Sequence, residues 1–357
     1  MAASVLHEPV WPEHATKDLS DDHFDYEEGG IDPTLLAEAK ERALLQLENF
    51  GVYEIVPKEQ TKGKHILPSG WTPGVVKPRE VNIRFVAEEM KWWEQRDDLF
   101  TQGSLGATVR VIDFYALQHG YACFIMDCTS AFYHADEPEE VYVRPPPEWI
   151  AKQIEADLPD DVMWRLRNQL PGRRAAGQRW VDHAADLLTD EGMTRCVECP
   201  CFFQSLNGVV IELHMDDFHG AGPLEACSKI IEQLKKHFRR KVSPLLEPEV
   251  RHQLLRRHRV MTLDRTFIDS ERRRIDNVLH ALGLDAANSV PTPSLAPGQN
   301  DGEPLTAEQP RLYRSCVGSL LCINHDRPDI LRDIGLLSGR LSAPRDIDIK
   351  RFVRVAR

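Results

Sequence analysis

Three aspartates stand at the ends of apolar runs of strand length. Tyr121-Ala-Cys-Phe-Ile-Met126 delivers Asp127, and Val209 to Met215 delivers the adjacent pair Asp216 and Asp217, 89 residues further along. Ionised carboxylates at the ends of core strands cost free energy unless cations neutralise them. Magnesium suits the set, because it takes one or two carboxylates and completes its shell with water and substrate phosphates. Two such ions, about 3.5–4 Å apart, would activate an attacking hydroxyl and stabilise a leaving pyrophosphate in line, which is nucleotidyl transfer. An Asp-Asp pair also makes an ordinary turn, since Asp tolerates tight backbone, so the pair alone leaves both readings open. Cys196, Cys199 and Cys201, with His214 or His219 nearby, offer zinc ligands, but the spacing lacks a second matched pair, and Phe202 and Phe203 mark the region as core. Gly220-Ala-Gly222 is too short to cradle phosphate and reads as the start of a returning strand. No local arrangement of Ser and His points to acyl transfer.

The elements that would carry these acids alternate between helical and strand patterns. Apolar residues at helical spacing run from Pro33 to Phe50, with Asp32 before Pro33 as the start signal. Val81 to Ala87 alternates like a strand, and Leu105 to His119 has helical periodicity up to Gly120. A brief strand at Val141 to Val143 precedes a helix from Gln178 to Thr189. Cys201 to Leu206 and Val209 to Met215 are strands joined by Asn207-Gly208, a strong hairpin signal. Leu224 to Phe238 is helical again, residues 288–310 read as a Pro-, Gly- and Ser-rich linker, and a helical piece runs from Leu312 to the end.

At 357 residues the chain makes two domains or one multi-lobed unit, and 42% apolar content excludes global disorder. No run of 18 or more apolar residues is present, so no membrane partner is expected. The opening residues lack a secretory pattern, and eight cysteines in apolar segments read as reduced thiols. The expected setting is therefore intracellular, cytoplasmic or nuclear. Oligomeric state has no signature in the sequence. The net charge of −12 argues on its face against a phosphate-rich partner. However, residues 1–30 hold eight acids and one lysine, whereas residues 235–274 hold thirteen Lys or Arg and five acids, a local net of +8. Binding follows the local field, so this lobe can still gather phosphates; the plainer reading is a solvated helical face.

Order and spacing then add a resemblance. Met126-Asp127-Cys-Thr-Ser-Ala131-Phe132 and Glu139-Glu140-Val141-Tyr142-Val143-Arg-Pro145 resemble segments of copia-type LTR-retrotransposon reverse transcriptases. Trp164 to Gly172, Trp180, Pro200-Cys201-Phe-Phe203 and His214-Met215-Asp216-Asp217 follow in the family's order. Asn49 to Pro57 resembles the opening of that domain. Val290 to Pro293, Tyr313 to Leu320, Arg327 to Ile330 and Gly335 to Ser338 resemble the connection after it. The likeness covers about residues 36 to 357.

The resemblance implies an α+β right-hand polymerase of fingers, palm and thumb, its antiparallel palm sheet backed by helices. It implies that Asp127, Asp216 and Asp217 are catalytic and hold Mg2+, or Mn2+, for transfer of a dNTP to a primer. It places Phe132 under the incoming sugar, Arg84 and more weakly Lys77 on the triphosphate, and Lys235, Lys236, Arg239, Arg240 and Lys241 along the primer-template, RNA or DNA. The implied divisions are an acidic tail (1–32), fingers and palm (33–225), a basic palm/thumb segment (226–287), a linker (288–311) and a helical connection (312–357), which ends where a ribonuclease H domain would begin. Ala175, Gly177, His214, Asn82 and Leu255-Arg256 depart from the family pattern. They carry the alternative, a decayed retrotransposon-derived copy that keeps the fold and at most binds nucleic acid.

Overall fold

The computed structural model describes residues 32–357, apart from 78–79, 91–95, 97–98, 100, 102, 104–105, 239, 243–250, 255–256, 263–264, 270–271, 297, 299, 307 and 325. The acidic tail, Arg239 and Leu255-Arg256 thus lie outside the described residues, Asp32 excepted. The chain divides into two units, 27–248 and 249–357.

In the first unit, helix α1 (Pro33–Phe50) begins where the Asp32 carboxylate accepts the Thr34 N–H at 2.8 Å, with Pro33 in the first turn. Strands β1 (Tyr53–Pro57) and β2 (Ile66–Leu67) follow, then a long hairpin of β3 (Ser69–Lys77) and β4 (Glu80–Ala87). Helix α2 (Gly106–His119) leads into β5 (Ala122–Cys128). Strand β6 (Tyr142–Val143), helix α3 (Pro147–Glu155) and strand β7 (Val162–Leu166) complete a four-stranded sheet, order β1-β7-β6-β2. Leu47, Phe85, Trp149 and Trp164 are buried in the core beside it. Helix α4 (Ala176–Asp190) precedes β8 (Met193–Arg195), β9 (Phe202–Ser205), β10 (Val210–His214) and β11 (Asp217–Gly222); helix α5 (Leu224–His237) and β12 (Arg240–Val242) close the unit.

The central sheet has six antiparallel strands in the order β12-β5-β11-β10-β9-β8. Strand alternation gives it two chemically different faces. Phe124, Met126, Ile211, Leu213 and Phe218 form one, buried against Trp180, Leu188, Ile230 and Leu234 of α4 and α5. Asp127, Glu212, Asp217 and His219 belong to the other, which α2 covers in part. The expected hairpin at Asn207-Gly208 forms between β9 and β10, with Gly208 at φ +80° in the left-handed region. Two expectations need correction. The strand expected over Val209 to Met215 stops at His214, and the aspartate pair does not sit together beyond its end: Met215 and Asp216 make the turn, and Asp217 already opens β11. Gly220 and Gly222 therefore lie inside β11, where a Cβ on Gly220 would stand 2.4 Å from the Phe124 ring.

The second unit holds a three-stranded antiparallel sheet, β13 (Arg251–Leu254), β14 (Arg257–Met261) and β15 (Thr266–Asp269). Much of the basic run is thus strand and not a helical face. Helices α6 (Arg272–Ala281), α7 (Gln309–Ile323), α8 (Leu331–Ser338) and α9 (Asp346–Ala356) bury Val278, Tyr313, Ile334 and Phe352 in a cluster of their own. All eight cysteines are free thiols. Among the described residues, no helix is long and apolar enough to cross a membrane.

Candidate nucleotidyl-transfer site

Asp127 of β5 and Asp217 of β11 are register partners across the two central strands. Directly opposed residues of an antiparallel pair share a face, with their Cβ atoms about 4.5–5.5 Å apart. Asp216 precedes Asp217 on the turn, and its carbonyl accepts the Cys128 N–H at 2.8 Å, which fixes the turn to the end of β5. The three carboxylates therefore share one end of one sheet, Asp216 exposed and the other two half-buried. Burial, then the charges of Asp216 and Asp127, push the Asp217 carboxyl up to about 6. A carboxyl so reluctant to ionise marks a place that wants a cation. The donors are all hard oxygens on half-open ground, which fits a divalent ion with water and phosphate in its remaining positions.

The turn itself is strained. Met215 has φ +53°, uncommon for a residue with a side chain and costing on the order of 1–3 kcal/mol. Its carbonyl accepts a hydrogen bond from the fully buried Trp180 indole N–H at 2.6 Å. Trp180 of α4 thus clamps the turn from the apolar face. Sequence reading registers Trp180 as a landmark without seeing this role.

Beside Asp216 opens a cavity of about 320 Å³ whose walls include Gln46, Arg84, Ser130, Phe132, Tyr133 and Met215. Phe132 lies just after β5 and is half-buried; it packs on the core and lines this cavity too. Ser130 is also left-handed, φ +58°, and its hydroxyl accepts from the Gln46 amide of α1. Arg84, exposed on β4 opposite Thr72, reaches the same cavity. Lys77 pairs with Glu80 at the far end of that hairpin, about 13 Å along the strand from Arg84, and its side chain lies outside what the structure describes.

A buried ion-pair network links the hairpin to the central sheet's loops. Arg173 donates to Glu137 at 2.8 Å, Glu89 at 2.6 Å and Glu139 at 2.9 Å, and Arg96 also donates to Glu139. Glu89 follows β4, which carries Arg84, while Glu137 and Glu139 follow Phe132, so the network ties together the segments just beyond these two cavity-lining residues. Gly172, at φ +87°, lies where a Cβ would fall 1.9 Å from the Ala87 carbonyl oxygen, so only glycine permits this approach. Sequence reading misses the network, because its five members scatter from residue 89 to 173.

The basic candidates separate. Lys235 and Lys236 are exposed on the last turn of α5, which covers the apolar face, and Lys235 pairs with Glu232. Arg240 and Lys241 lie in β12, where Lys241 is the register partner of Asp127. Of the departures from the family pattern, Ala175 is buried, and Gly177 sits where a Cβ would crowd the Thr101 hydroxyl at 2.7 Å.

This six-stranded sheet, its aspartate turn and its two backing helices make an α+β unit with a cluster of carboxylates at one sheet end. Residues 91–250 match the family model for reverse transcriptase (RNA-dependent DNA polymerase), a family that works with a divalent metal. The chain is 24% identical over 331 residues to the retrovirus-related Pol polyprotein from transposon TNT 1-94 of Nicotiana tabacum, which spans 87% of this chain and 24% of that polyprotein. It is 27% identical over 213 residues to the transposon Ty1-LR2 Gag-Pol polyprotein of Saccharomyces cerevisiae, 58% of this chain and 12% of the polyprotein. A solved foamy viral protease-reverse transcriptase in complex with dsDNA aligns at a TM-score of 0.48 and 11% identity, over 89% of this chain and 56% of that one. Over these residues the chain is similar to the reverse transcriptase domain of copia-type LTR-retrotransposon polyproteins. It spans a quarter or less of the length of these two curated relatives.

Proposed function

We propose that this chain is an RNA-directed DNA polymerase that adds deoxynucleotides to a primer. The observation that carries the reading is the register of Asp127 against Asp217, with Asp216 next on a clamped turn. These carboxylates would hold two Mg2+ ions, which when bound supply hydroxyl activation and neutralise charge on the departing pyrophosphate. Arg84 would bind triphosphate oxygens in pairs through its rigid fork. Phe132 would stack under the sugar and leave no room for a 2′-hydroxyl. Lys77 fits such a role only if a triphosphate extends along the hairpin. Arg240 and Lys241, beside the acids on β12, would meet the primer-template backbone, with Arg239 next to them in sequence; Lys235 and Lys236 lie behind the sheet and would contribute to the field more than to contact. We further infer fingers and palm over 33–225, a basic palm/thumb segment over 226–287 and a helical connection over 312–357, after the 288–311 linker.

The test is primer extension by the purified chain on an RNA template, with magnesium and separately with manganese. Incorporation by the wild type, lost in Asp216→Asn at an unchanged thermal midpoint, is the expected result. Extension retained by Asp216→Asn refutes the assignment. No incorporation by the wild type in either metal selects the decayed copy, the reading that Ala175 and Gly177 favour.

A further inference from the structure

The acid-bearing face of the central sheet does not turn apolar beyond the aspartates. Two residues further along β11 stands His219, opposite Glu212 of β10, and β5 contributes Cys123. Helix α2 covers this ground and brings Asp113 to it. All four residues are buried, none more than 5% exposed. One donor atom each from Asp113, Cys123 and His219 lie within 4.8 Å of one another. The polymerase reading uses none of these residues.

The geometry and the donor types point the same way. Asp113 Oδ1 lies 3.5 Å from His219 Nε2. Two ligands about 2.0–2.1 Å from a tetrahedral ion stand about 3.3 Å apart, so this separation suits a shared cation. A mixture of thiol, imidazole and carboxylate is a zinc set; magnesium, which takes oxygen, would refuse the sulfur. His219 Nδ1 and Glu212 Oε2 have no hydrogen-bond partner, although both residues are at least 97% buried. A histidine that ligates through one nitrogen normally donates its other N–H to a carboxylate, and Glu212 is the cross-strand neighbour placed for that. Burial pushes the Cys123 thiol up to about 12, so without a cation it stays protonated.

We propose that Asp113, Cys123 and His219 bind one zinc ion, with Glu212 orienting His219 and the fourth position open to water. This site is separate from the aspartate site in donor chemistry, and it would staple α2 to the same face of the sheet, two residues along β11 from Asp217. The cysteines that the sequence suggests for zinc, Cys196, Cys199 and Cys201, form no such group among the described residues.

Metal content of the full chain, purified from zinc-supplemented medium without chelator, tests this. About one zinc per chain is expected, retained in Cys196→Ala and lost in Cys123→Ala and Asp113→Asn. Added phenanthroline should lower the thermal midpoint of the wild type and leave that of Cys123→Ala unmoved. Should Cys123→Ala fail to fold, cobalt substitution of the wild type decides: a near-ultraviolet thiolate-to-cobalt band supports the site, and its lack overturns it. A metal-free wild type, or zinc unchanged in Cys123→Ala, overturns it as well. None of these readouts depends on primer extension, so the site stands or falls apart from the polymerase reading.

Discussion

At the scale of single residues, the aspartate cluster sets stability against function. Three carboxylates at one strand end repel one another, and burial together with the charges of Asp216 and Asp127 pushes the Asp217 carboxyl up to about 6. Asp217→Asn removes that repulsion. In metal-free buffer its thermal midpoint should rise by about 2–4 °C, while the stabilisation that the wild type gains from added magnesium should vanish. Calorimetry with and without magnesium checks both parts; an unchanged or lower metal-free midpoint would show that Asp217 is already relieved by some other group. Phe132 carries a second expectation. As it lines the cavity while anchored in the core, Phe132→Ala should raise ribonucleotide use relative to deoxynucleotide use by on the order of 10-fold, at a modest cost in stability. Competitive incorporation assays measure that ratio directly.

Elements are held in place by the Arg173 network, which joins the end of the β3–β4 hairpin to the segment that follows Phe132. Arg173→Met would strand Glu89, Glu137 and Glu139 with Arg96 as their remaining guanidinium, and should cost about 3–5 kcal/mol near neutral pH. The pH dependence has a definite sign. Burial alone would raise the Glu139 carboxyl, but hydrogen bonds from Arg96 and Arg173 overcome this and hold it below its ordinary 4.5. A depressed carboxyl contributes stability above its unfolded value and loses it as the pH falls through the folded one. The gap between wild type and Arg173→Met should therefore be widest near neutrality and shrink below about pH 4.5. Urea denaturation across this range checks it, and a gap independent of pH would assign the cost to lost packing.

For the molecule as a whole, each unit buries its own apolar cluster. One set draws on residues between Leu44 and Phe238, the other on Val278 to Val355. Scanning calorimetry should resolve two transitions, the smaller one surviving on its own in a fragment from 249 to 357. A single transition in the full chain, together with an unfolded fragment, would show that the units depend on each other. Charge does not follow the division into units: a net of −12 belongs to the sum, while the local excess of +8 over residues 235–274 runs across the 248/249 boundary and governs what a polyanion meets there.

Strand and helix periods, the Asn207-Gly208 turn and the three acids behind apolar runs were legible in the amino-acid order, because pattern and turn chemistry act over a few residues. The order of landmarks added the family. What lay beyond it depends on neighbours distant in sequence. The pairing of Asp127 with Asp217, the indole that holds a left-handed Met215, the glycine against Ala87 and the buried His219 beside Asp113 all arise where strands and helices far apart along the chain are brought side by side. Local sequence set which side chains each element would offer; only tertiary contact decided which of them face one another, because register and packing between distant segments have no local code.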